Sequence, residues 1–102
     1  MRNRSLAIVP ALNEQGSIER VVSAIKSENP EFDVLVVDDG SGDATAERAQ
    51  NAGAVGLIHP IKLGIGGAVQ SGYQFALANG YEYAVQIDGD GQHPPGELAK
   101  PV

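Results

Sequence analysis

The segment Asp33-Val-Leu-Val-Val-Asp38-Asp39-Gly-Ser-Gly-Asp43 indicates the fold class. Four consecutive apolar residues, three of them β-branched, lie between acidic residues, and a glycine-rich turn follows them. The run does not alternate between apolar and polar residues, which is typical of a strand that is covered on both faces. The sequence therefore predicts a buried strand that ends at Asp38.

Strands and helices alternate on both sides of this segment. Further strands are predicted over 5–10, 55–59 and 83–87. A second helix is expected from Ala44 to Ala52, capped by Ser41 or Asp43. The first and third helices are indicated by apolar residues at helical spacing, namely Ile18, Val21, Val22 and Ile25, and then Val69, Gly72, Tyr73, Ala76 and Leu77. The order β-α-β-α-β-α-β predicts an α/β fold, a mainly parallel sheet between two layers of helices.

Composition excludes several classes of function. The 102 residues include 7 basic and 13 acidic ones, a formal net charge of −6, so the chain is not expected to bind nucleic acid. No cysteine is present, which excludes thiolate metal sites and a cysteine nucleophile. No apolar run approaches the roughly 20 residues of a membrane span. These properties predict one domain over residues 1–102 and a cytoplasmic location.

Polar clusters follow each of the four predicted strands. They are Asn13-Glu14, Asp38-Asp39, the stretch 62–67, and Asp88 with Asp90. The carboxyl ends of parallel strands lie at one edge of the sheet, so the four clusters are expected to converge there. Polar turns in ordinary α/β proteins would explain any single cluster, but they explain four together less well.

Asp88-Gly-Asp90 is a candidate metal site. Two carboxylates on a chain reversal can reach one hard cation, Mg²⁺ or Mn²⁺, and a diphosphate can complete its coordination shell. Gln92 and His93 add side chains that can act as ligands. A solvated turn is the alternative for the acidic pair, and an exposed loop position is the alternative for His93.

Two other clusters leave alternatives open. One acid of Asp38-Asp39 can accept a hydrogen bond from a ribose or base while the other caps the following helix, or both can simply be capping and solvated residues. The glycines of 64–67 predict a loop whose backbone N–H groups approach an anion, with Lys62 as a point charge. Neither the dinucleotide fingerprint nor the Walker loop fits this stretch. No role is predicted for His59, which is interpreted as a strand end.

Four ordered motifs together resemble the family 2 glycosyltransferases of the GT-A fold, in the branch of the polyprenyl- and dolichyl-phosphate sugar synthases and related cell-surface sugar transferases of cell wall biogenesis. The motifs are Ile8-Val-Pro-Ala-Leu-Asn-Glu14, Val36-Val-Asp-Asp-Gly-Ser-Gly-Asp-Ala-Thr45, Leu63-Gly-Ile-Gly-Gly-Ala68 and Gln86-Ile-Asp-Gly-Asp-Gly-Gln-His-Pro-Pro95. They cover nearly the whole chain. As a set they are highly specific, although each motif alone is not.

The resemblance implies a nucleotide-sugar donor bound across the strand ends through Mg²⁺ or Mn²⁺. Pro10, Ala11 and Glu14 would line the nucleoside pocket, Asp38 would contact the base or ribose, and Asp39 would assist or cap. Asp88 would approach the ribose or the metal, Asp90 of the Asp-x-Asp motif would be the principal metal ligand, and Gln92 a further ligand. Lys62 departs from the asparagine of many relatives and would reach the donor phosphates.

The resemblance also implies a second half that binds the acceptor, a lipid phosphate or a glycan, and supplies a carboxylate base. No catalytic base is identified in this chain. The 102 residues are therefore expected to be the donor-binding half of a longer enzyme, inactive in isolation, which would act at the inner face of a membrane and would self-associate through an exposed sheet edge. Two alternatives remain: a nucleotide-binding module without catalysis, and a phosphotransferase with an aspartyl nucleophile at Asp88.

Overall fold

The computed structural model describes residues 4–88 and the backbone of residues 100–101. Five strands form one sheet in the order β3-β2-β1-β4-β5. Strands β1 to β4 are parallel, and β5 pairs with β4 in the antiparallel direction. The strands are β1 (Ser5–Ala11), β2 (Phe32–Asp38), β3 (Val55–Ile58), β4 (Tyr83–Gln86) and β5 (Lys100–Pro101). The predicted α/β fold and its four parallel strands are confirmed, and β5 is an element that the sequence pattern did not indicate.

Three helices connect the parallel strands: α1 (Ile18–Glu28), α2 (Thr45–Asn51) and α3 (Gly64–Ala78). The buried apolar residues of α1 and Ala49 of α2 pack on one face of the sheet with Val34 and Val36. Helix α3 packs on the other face with Leu35 and Val37. The four consecutive apolar residues 34–37 of β2 are all buried, so the prediction that both faces of this strand are covered is confirmed. No helix of the described part of the chain has the length and apolarity that crossing a membrane requires.

Helix α3 differs from its prediction in two respects. It begins at Gly64, so the glycine-rich stretch predicted as a loop forms the first turn of the helix. Its buried stripe consists of Ala68, Gly72 and Ala76, and Leu77 is exposed. A Cβ added at Gly72 would lie 2.4 Å from Cγ2 of Ile8, so the backbone of α3 approaches β1 more closely than any side chain allows. Packing on the sheet, not the spacing of the larger apolar residues, therefore sets the face that α3 buries.

The strand order reverses between β1 and β4. From β1 the chain proceeds through β2 to β3 on one side, and then crosses to β4 on the other side of β1. At such a reversal the connections leave the carboxyl edge in opposite directions, and a crevice opens between them. The fold therefore places a crevice beside the ends of β1 and β4, where the predicted polar clusters lie.

Candidate functional site

A cleft of about 380 Å³ opens at the carboxyl edge of the sheet. Its wall comes from the ends of β1 and β2, from the start of α3 and from the segment that follows β4. The lining residues are Pro10, Ala11, Leu12, Glu14, Asp39, Lys62, Gly64, Ile65, Ala68 and Asp88. Six of the residues assigned to the donor site from sequence therefore line one cleft: Pro10, Ala11, Glu14, Asp39, Lys62 and Asp88.

Asp39 is the most extensively bonded of these residues. Its side chain is buried, and its Oδ1 accepts hydrogen bonds from the backbone N–H of Leu63 at 2.8 Å and from Nδ1 of His59 at 2.9 Å. Its Oδ2 accepts from the backbone N–H of Gly64 at 2.8 Å. The hydrogen bond from His59, together with those from the two amides, lowers the pKa of Asp39 below its ordinary value despite the opposing effect of burial. Asp39 is therefore an ionised carboxylate that caps α3.

This arrangement bears on two sequence-based expectations. The glycines at 64, 66 and 67 were expected to let backbone N–H groups approach an anion. Asp39 of the chain itself accepts from the N–H of Leu63 and of Gly64, and the expectation for Gly66 and Gly67 stays a prediction. One acid of the Asp38-Asp39 pair was expected to cap the following helix, which is α2. Asp39 instead caps α3, the next helix but one along the chain, because its side chain points across the end of β3.

Asp38 has a different environment from its neighbour. It is also buried, and its Oδ1 accepts a hydrogen bond from the backbone N–H of Ser41 at 2.8 Å, which closes the turn after β2. Its backbone carbonyl accepts from the N–H of His59 at 2.8 Å. Asp38 is not among the residues that line the cleft. Its predicted contact with a base or ribose stays a prediction.

The loop after β1 is bonded to the loop after β2. The N–H of Asn13 donates to Oγ of Ser41 at 2.8 Å, and Oδ1 of Asn13 accepts from the N–H of Gly42 at 2.9 Å. The N–H of Glu14 donates to Oγ1 of the fully buried Thr45 at 2.9 Å. Asn13 adopts a left-handed backbone with φ of 54°, which Asn tolerates better than most residues. These bonds fix Glu14 at the mouth of the cleft.

The expected cap of α2 is confirmed in part. Oδ1 of Asp43 accepts a hydrogen bond from the N–H of Thr45 at 3.0 Å, at the start of the helix, and also a bond from the hydroxyl of Thr45. These bonds lower the pKa of Asp43. Ser41, the other candidate, accepts from Asn13 and belongs to the link between the loops.

The charges of the cleft are unequal. Glu14, Asp39 and Asp88 contribute three carboxylates, whereas Lys62 is the only basic side chain among the described residues of the lining. The side chains of Lys62 and Asp88 are exposed, so both can reach a ligand. Oxygen donors that outnumber cations suit a hard divalent metal. Within the part of the chain that the structure describes, no group of three acidic, His or Cys side chains forms a complete metal site.

Two predicted metal ligands cannot be placed in this cleft. Asp90 and Gln92 lie outside the described residues, as does His93, and their roles remain predictions from sequence. Asp88 is the last described residue before them, and it lines the cleft.

Sequence reasoning missed His59. This side chain is 8% exposed, and both its ring nitrogens are within hydrogen-bond distance of a partner, Asp39 on one side and Oγ of Ser71 on the other at 2.9 Å. One signal was available, since His59 directly follows β3 and therefore lies at the same sheet edge as the other polar clusters.

The sequence comparison identifies the family. The sequence model described as "Glycosyl transferase family 2" matches residues 6–102. The chain belongs to glycosyl transferase family 2. This match confirms the resemblance given by the four motifs, and it does not favour the interpretation of Asp88 as the nucleophile of a phosphotransferase.

Curated members of glycosyl transferase family 2 resemble the chain along most of its length. The undecaprenyl-phosphate mannosyltransferase of Micrococcus luteus is 38% identical over 95% of this chain and 42% of its own length. The polyprenol monophosphomannose synthase of Mycolicibacterium smegmatis is 35% identical over 95% of this chain and 39% of its own length. The chain therefore spans about two fifths of these relatives.

Solved structures of glycosyltransferases share the fold. A mannosyltransferase from Pyrobaculum calidifontis in complex with GDP-Man and Mn²⁺ superposes with a TM-score of 0.72 at 26% identity, covering 88% of this chain and 28% of that chain. Glucosyl-3-phosphoglycerate synthase from Mycobacterium tuberculosis, in complex with Mn²⁺, UDP-Glc and phosphoglyceric acid, gives a TM-score of 0.68 at 28% identity, covering 85% and 33%. The predicted Rossmann-like GT-A architecture is confirmed.

Proposed function

We propose that the cleft binds the nucleotide diphosphate of a sugar donor, and that the chain supplies the donor side of a glycosyltransferase acting on a polyprenyl phosphate or a cell-surface glycan. The observation that carries this proposal is the convergence of Pro10, Glu14, Asp39, Lys62 and Asp88 on one cleft at the strand-order reversal. Nucleotides bind at such reversals in open α/β sheets. The cleft is within the range of small-molecule sites, which measure roughly 300–1,000 Å³.

The cleft has apolar and charged surfaces that suit different parts of a nucleotide-sugar donor. Pro10, Ala11 and Ala68 offer apolar contacts to a nucleoside, and Lys62 offers an ammonium to the phosphates. Glu14 and Asp39 are acceptors for the hydroxyl and N–H donors of a ribose or base. Asp39 places a negative charge at the start of α3 and accepts from two of its backbone N–H groups, so we assign the main contact with the phosphates to Lys62 and the metal.

We propose Asp88 and Asp90, with Gln92, as the residues that hold Mg²⁺ or Mn²⁺. The support within the described residues is the exposed carboxylate of Asp88 at the cleft and the excess of carboxylates over cations. When bound, a divalent ion stabilises the charge that develops on a departing nucleoside diphosphate. The solved relatives that contain a nucleotide sugar together with Mn²⁺ support a divalent metal as the cofactor.

A lipid phosphate is the acceptor that we favour. The support is the similarity to relatives named for undecaprenyl phosphate and polyprenol, which also suggests a location at the cytoplasmic face of a membrane. A phosphate acceptor is already an anion, whereas a sugar hydroxyl needs a positioned base to remove its proton.

Calorimetry tests the donor site directly. GDP and UDP are titrated into the folded 102-residue chain with Mn²⁺, with Mg²⁺, or with a chelator. We expect binding of at least one nucleotide to be about tenfold or more tighter with metal, because the metal offsets the cleft carboxylates. Asp88→Asn and Asp90→Ala should each reduce the factor by which metal tightens nucleotide binding.

Glu82→Gln is the matched control, because Glu82 is an exposed acid before β4, at the opposite edge of the sheet. It should bind as the unmodified chain does. A folded sample that binds neither nucleotide in the presence of either metal would refute the proposal.

A further inference from the structure

His59 is a buried polar residue for which the donor site described above has no use. It does not line the cleft, and its ring joins Asp39, which follows β2, to Ser71 in the middle of α3. Its own position, directly after β3, is held by the hydrogen bond from its N–H to the carbonyl of Asp38. Both ring nitrogens are therefore in polar contact within the fold.

The chemistry of Asp39 fixes the proton on the ring. An ionised carboxylate only accepts hydrogen bonds, and the pKa of Asp39 is lowered, so Nδ1 of His59 must be the donor in their contact. In the neutral ring Nε2 then has no proton and accepts from the hydroxyl of Ser71. Ser71 thus holds the tautomer that Asp39 requires.

The order Asp39, His59, Ser71 matches the connectivity of a nucleophilic triad, but the surroundings do not support that chemistry. Ser71 lies in the middle of α3, where backbone N–H groups bond to carbonyls four residues earlier. No pair of free amides is then available to stabilise an oxyanion. The contacts therefore hold residues in place rather than activate a nucleophile.

We propose that His59, with Ser71 behind it, is a positioning residue that orients the Asp39 carboxylate against the start of α3. Asp39 in turn accepts from the amides of Leu63 and Gly64, and Gly64 lines the cleft together with Lys62 and Ile65. The effect on α3 is independent of any ligand. The effect on nucleotide binding rests on the proposed function.

Two substitutions separate the contacts of the ring. In His59→Asn the side-chain amide nitrogen can take the position of Nδ1 and still donate to Asp39, while the contact with Ser71 is lost. In His59→Gln the amide reaches toward the position of Nε2 and Ser71, and the donor to Asp39 is lost. Both variants remove the same imidazole, so a general loss of packing affects both.

Amide hydrogen exchange of Leu63 and Gly64 in the nucleotide-free chain is the first measurement. We expect exchange in His59→Gln to be roughly fivefold to tenfold faster, and in His59→Asn to remain within about threefold, because one hydrogen bond is worth on the order of 1 kcal/mol. Ser71→Ala leaves the imidazole in place, and it should raise the exchange rate by a factor between those of the Asn and Gln variants. Equal exchange in the Asn and Gln variants would overturn the proposal.

Nitrogen NMR of the histidine ring in the unmodified chain is independent of whether any variant folds. We expect a proton on Nδ1 of His59, where the ring meets the Asp39 carboxylate, and a ring without a proton on Nδ1 would overturn the proposal.

Calorimetry with Mn²⁺ and the nucleotide that the unmodified chain binds tests the second part. His59→Gln should bind about fivefold more weakly and His59→Asn nearly normally, in keeping with the loss of one hydrogen bond. Unchanged affinity in His59→Gln, with faster exchange at Leu63, would refute the link to the cleft. If the unmodified chain binds no nucleotide, the proposed function fails, whereas the exchange and tautomer results still decide the role of His59 toward Asp39.

Discussion

The carboxylate of Asp39 is buried, negatively charged and the acceptor of three hydrogen bonds. A carboxylate whose pKa is lowered in the folded state stabilises that state at pH values above its ordinary pKa of 3.8. This contribution is lost as the pH falls through the lowered pKa of the folded state. Asp39→Asn keeps one acceptor oxygen and loses the charge. We expect it to lower the free energy of unfolding by about 1–3 kcal/mol near neutral pH.

Urea denaturation at several pH values measures this effect. The difference between Asp39→Asn and the unmodified chain should shrink as the pH falls below 3.8, since the carboxylate of the unmodified chain is then being protonated. Glu82→Gln controls for the loss of one negative charge. A difference that stays constant down to the lowest pH at which both chains fold would show that the charge of Asp39 is unimportant.

Substitution of Thr45 tests the hydrogen bond that links the loop after β1 to the start of α2 beside the cleft. Thr45→Val keeps the shape of a fully buried side chain but removes the hydroxyl that accepts from Glu14 and donates to Asp43. We expect a loss of about 1–3 kcal/mol in stability, because polar groups at the loop lose their partner. Nucleotide affinity should also fall, since Glu14 lines the cleft.

Thr45→Ser is the matched variant, because it keeps the hydroxyl and removes only a methyl group. Calorimetry and thermal unfolding should place it close to the unmodified chain in affinity and slightly below it in stability. Equal losses of nucleotide affinity in Thr45→Val and Thr45→Ser would show that the hydrogen bond from Glu14 to the Thr45 hydroxyl does not contribute to nucleotide binding.

Helix α3 depends on a small residue at Gly72. Gly72→Ala would force a Cβ to within 2.4 Å of Ile8 in the core. Overpacking costs about 1–3 kcal/mol, which exceeds the gain of up to about 1 kcal/mol that alanine brings to a helix. We expect a net loss of stability on thermal or urea unfolding.

Gly66→Ala provides the contrast within the same helix. No atom lies within 4 Å of a Cβ added at Gly66, so the substitution should be neutral or stabilising by up to about 1 kcal/mol. Equal stabilisation by Gly72→Ala and Gly66→Ala would contradict the close packing of α3 on β1 at Gly72.

The elements that could be predicted from sequence are those whose local pattern agrees with their packing. Strand β2 and helix α1 have apolar residues at the spacing that their burial requires, and the structure has them within one or two residues of the prediction. The start of α3 has no such local signal, because Gly64 and its neighbours have low helix propensity. The turn is held by Asp39, which lies 25 residues away from Gly64 in the chain. A cap from so distant a residue cannot be found by inspecting the segment itself.

The candidate site was predicted better than its internal bonding. A parallel sheet brings the residues after each strand to one edge whatever the details, so Glu14, Asp39, Lys62 and Asp88 could be placed together from the order of elements alone. The direction in which a side chain points at that edge depends on the neighbouring elements. For this reason His59 was overlooked, and neither acid of the Asp38-Asp39 pair was predicted to cap α3.

The whole sheet has an edge at β3 that carries exposed apolar side chains. Val55 is 46% exposed and Ile58 is 58% exposed. An edge strand with free backbone groups and apolar side chains is a template for pairing with another chain. We expect the 102-residue chain to form dimers or larger species as its concentration rises, as observed by size-exclusion chromatography with light scattering.

Ile58→Lys places a charge on this edge and should shift the population toward monomer without unfolding the chain. Leu77→Lys, at an exposed position of α3 that is 64% exposed, is the control for added charge elsewhere. A monomer mass at all concentrations, or an equal effect of the two substitutions, would exclude association through β3.

The carboxylate that caps α3 has a consequence for the thermodynamics of assembly. Because the positive end of the helix is already compensated, a diphosphate and a divalent cation entering the cleft must largely neutralise each other. Their binding is then strongly coupled. By linkage, the factor by which metal tightens nucleotide binding equals the factor by which nucleotide tightens metal binding. Under the proposed function, the cleft therefore binds nucleotide and metal cooperatively. When one of the two is scarce, the other binds much more weakly than it does to a cleft that already holds its partner.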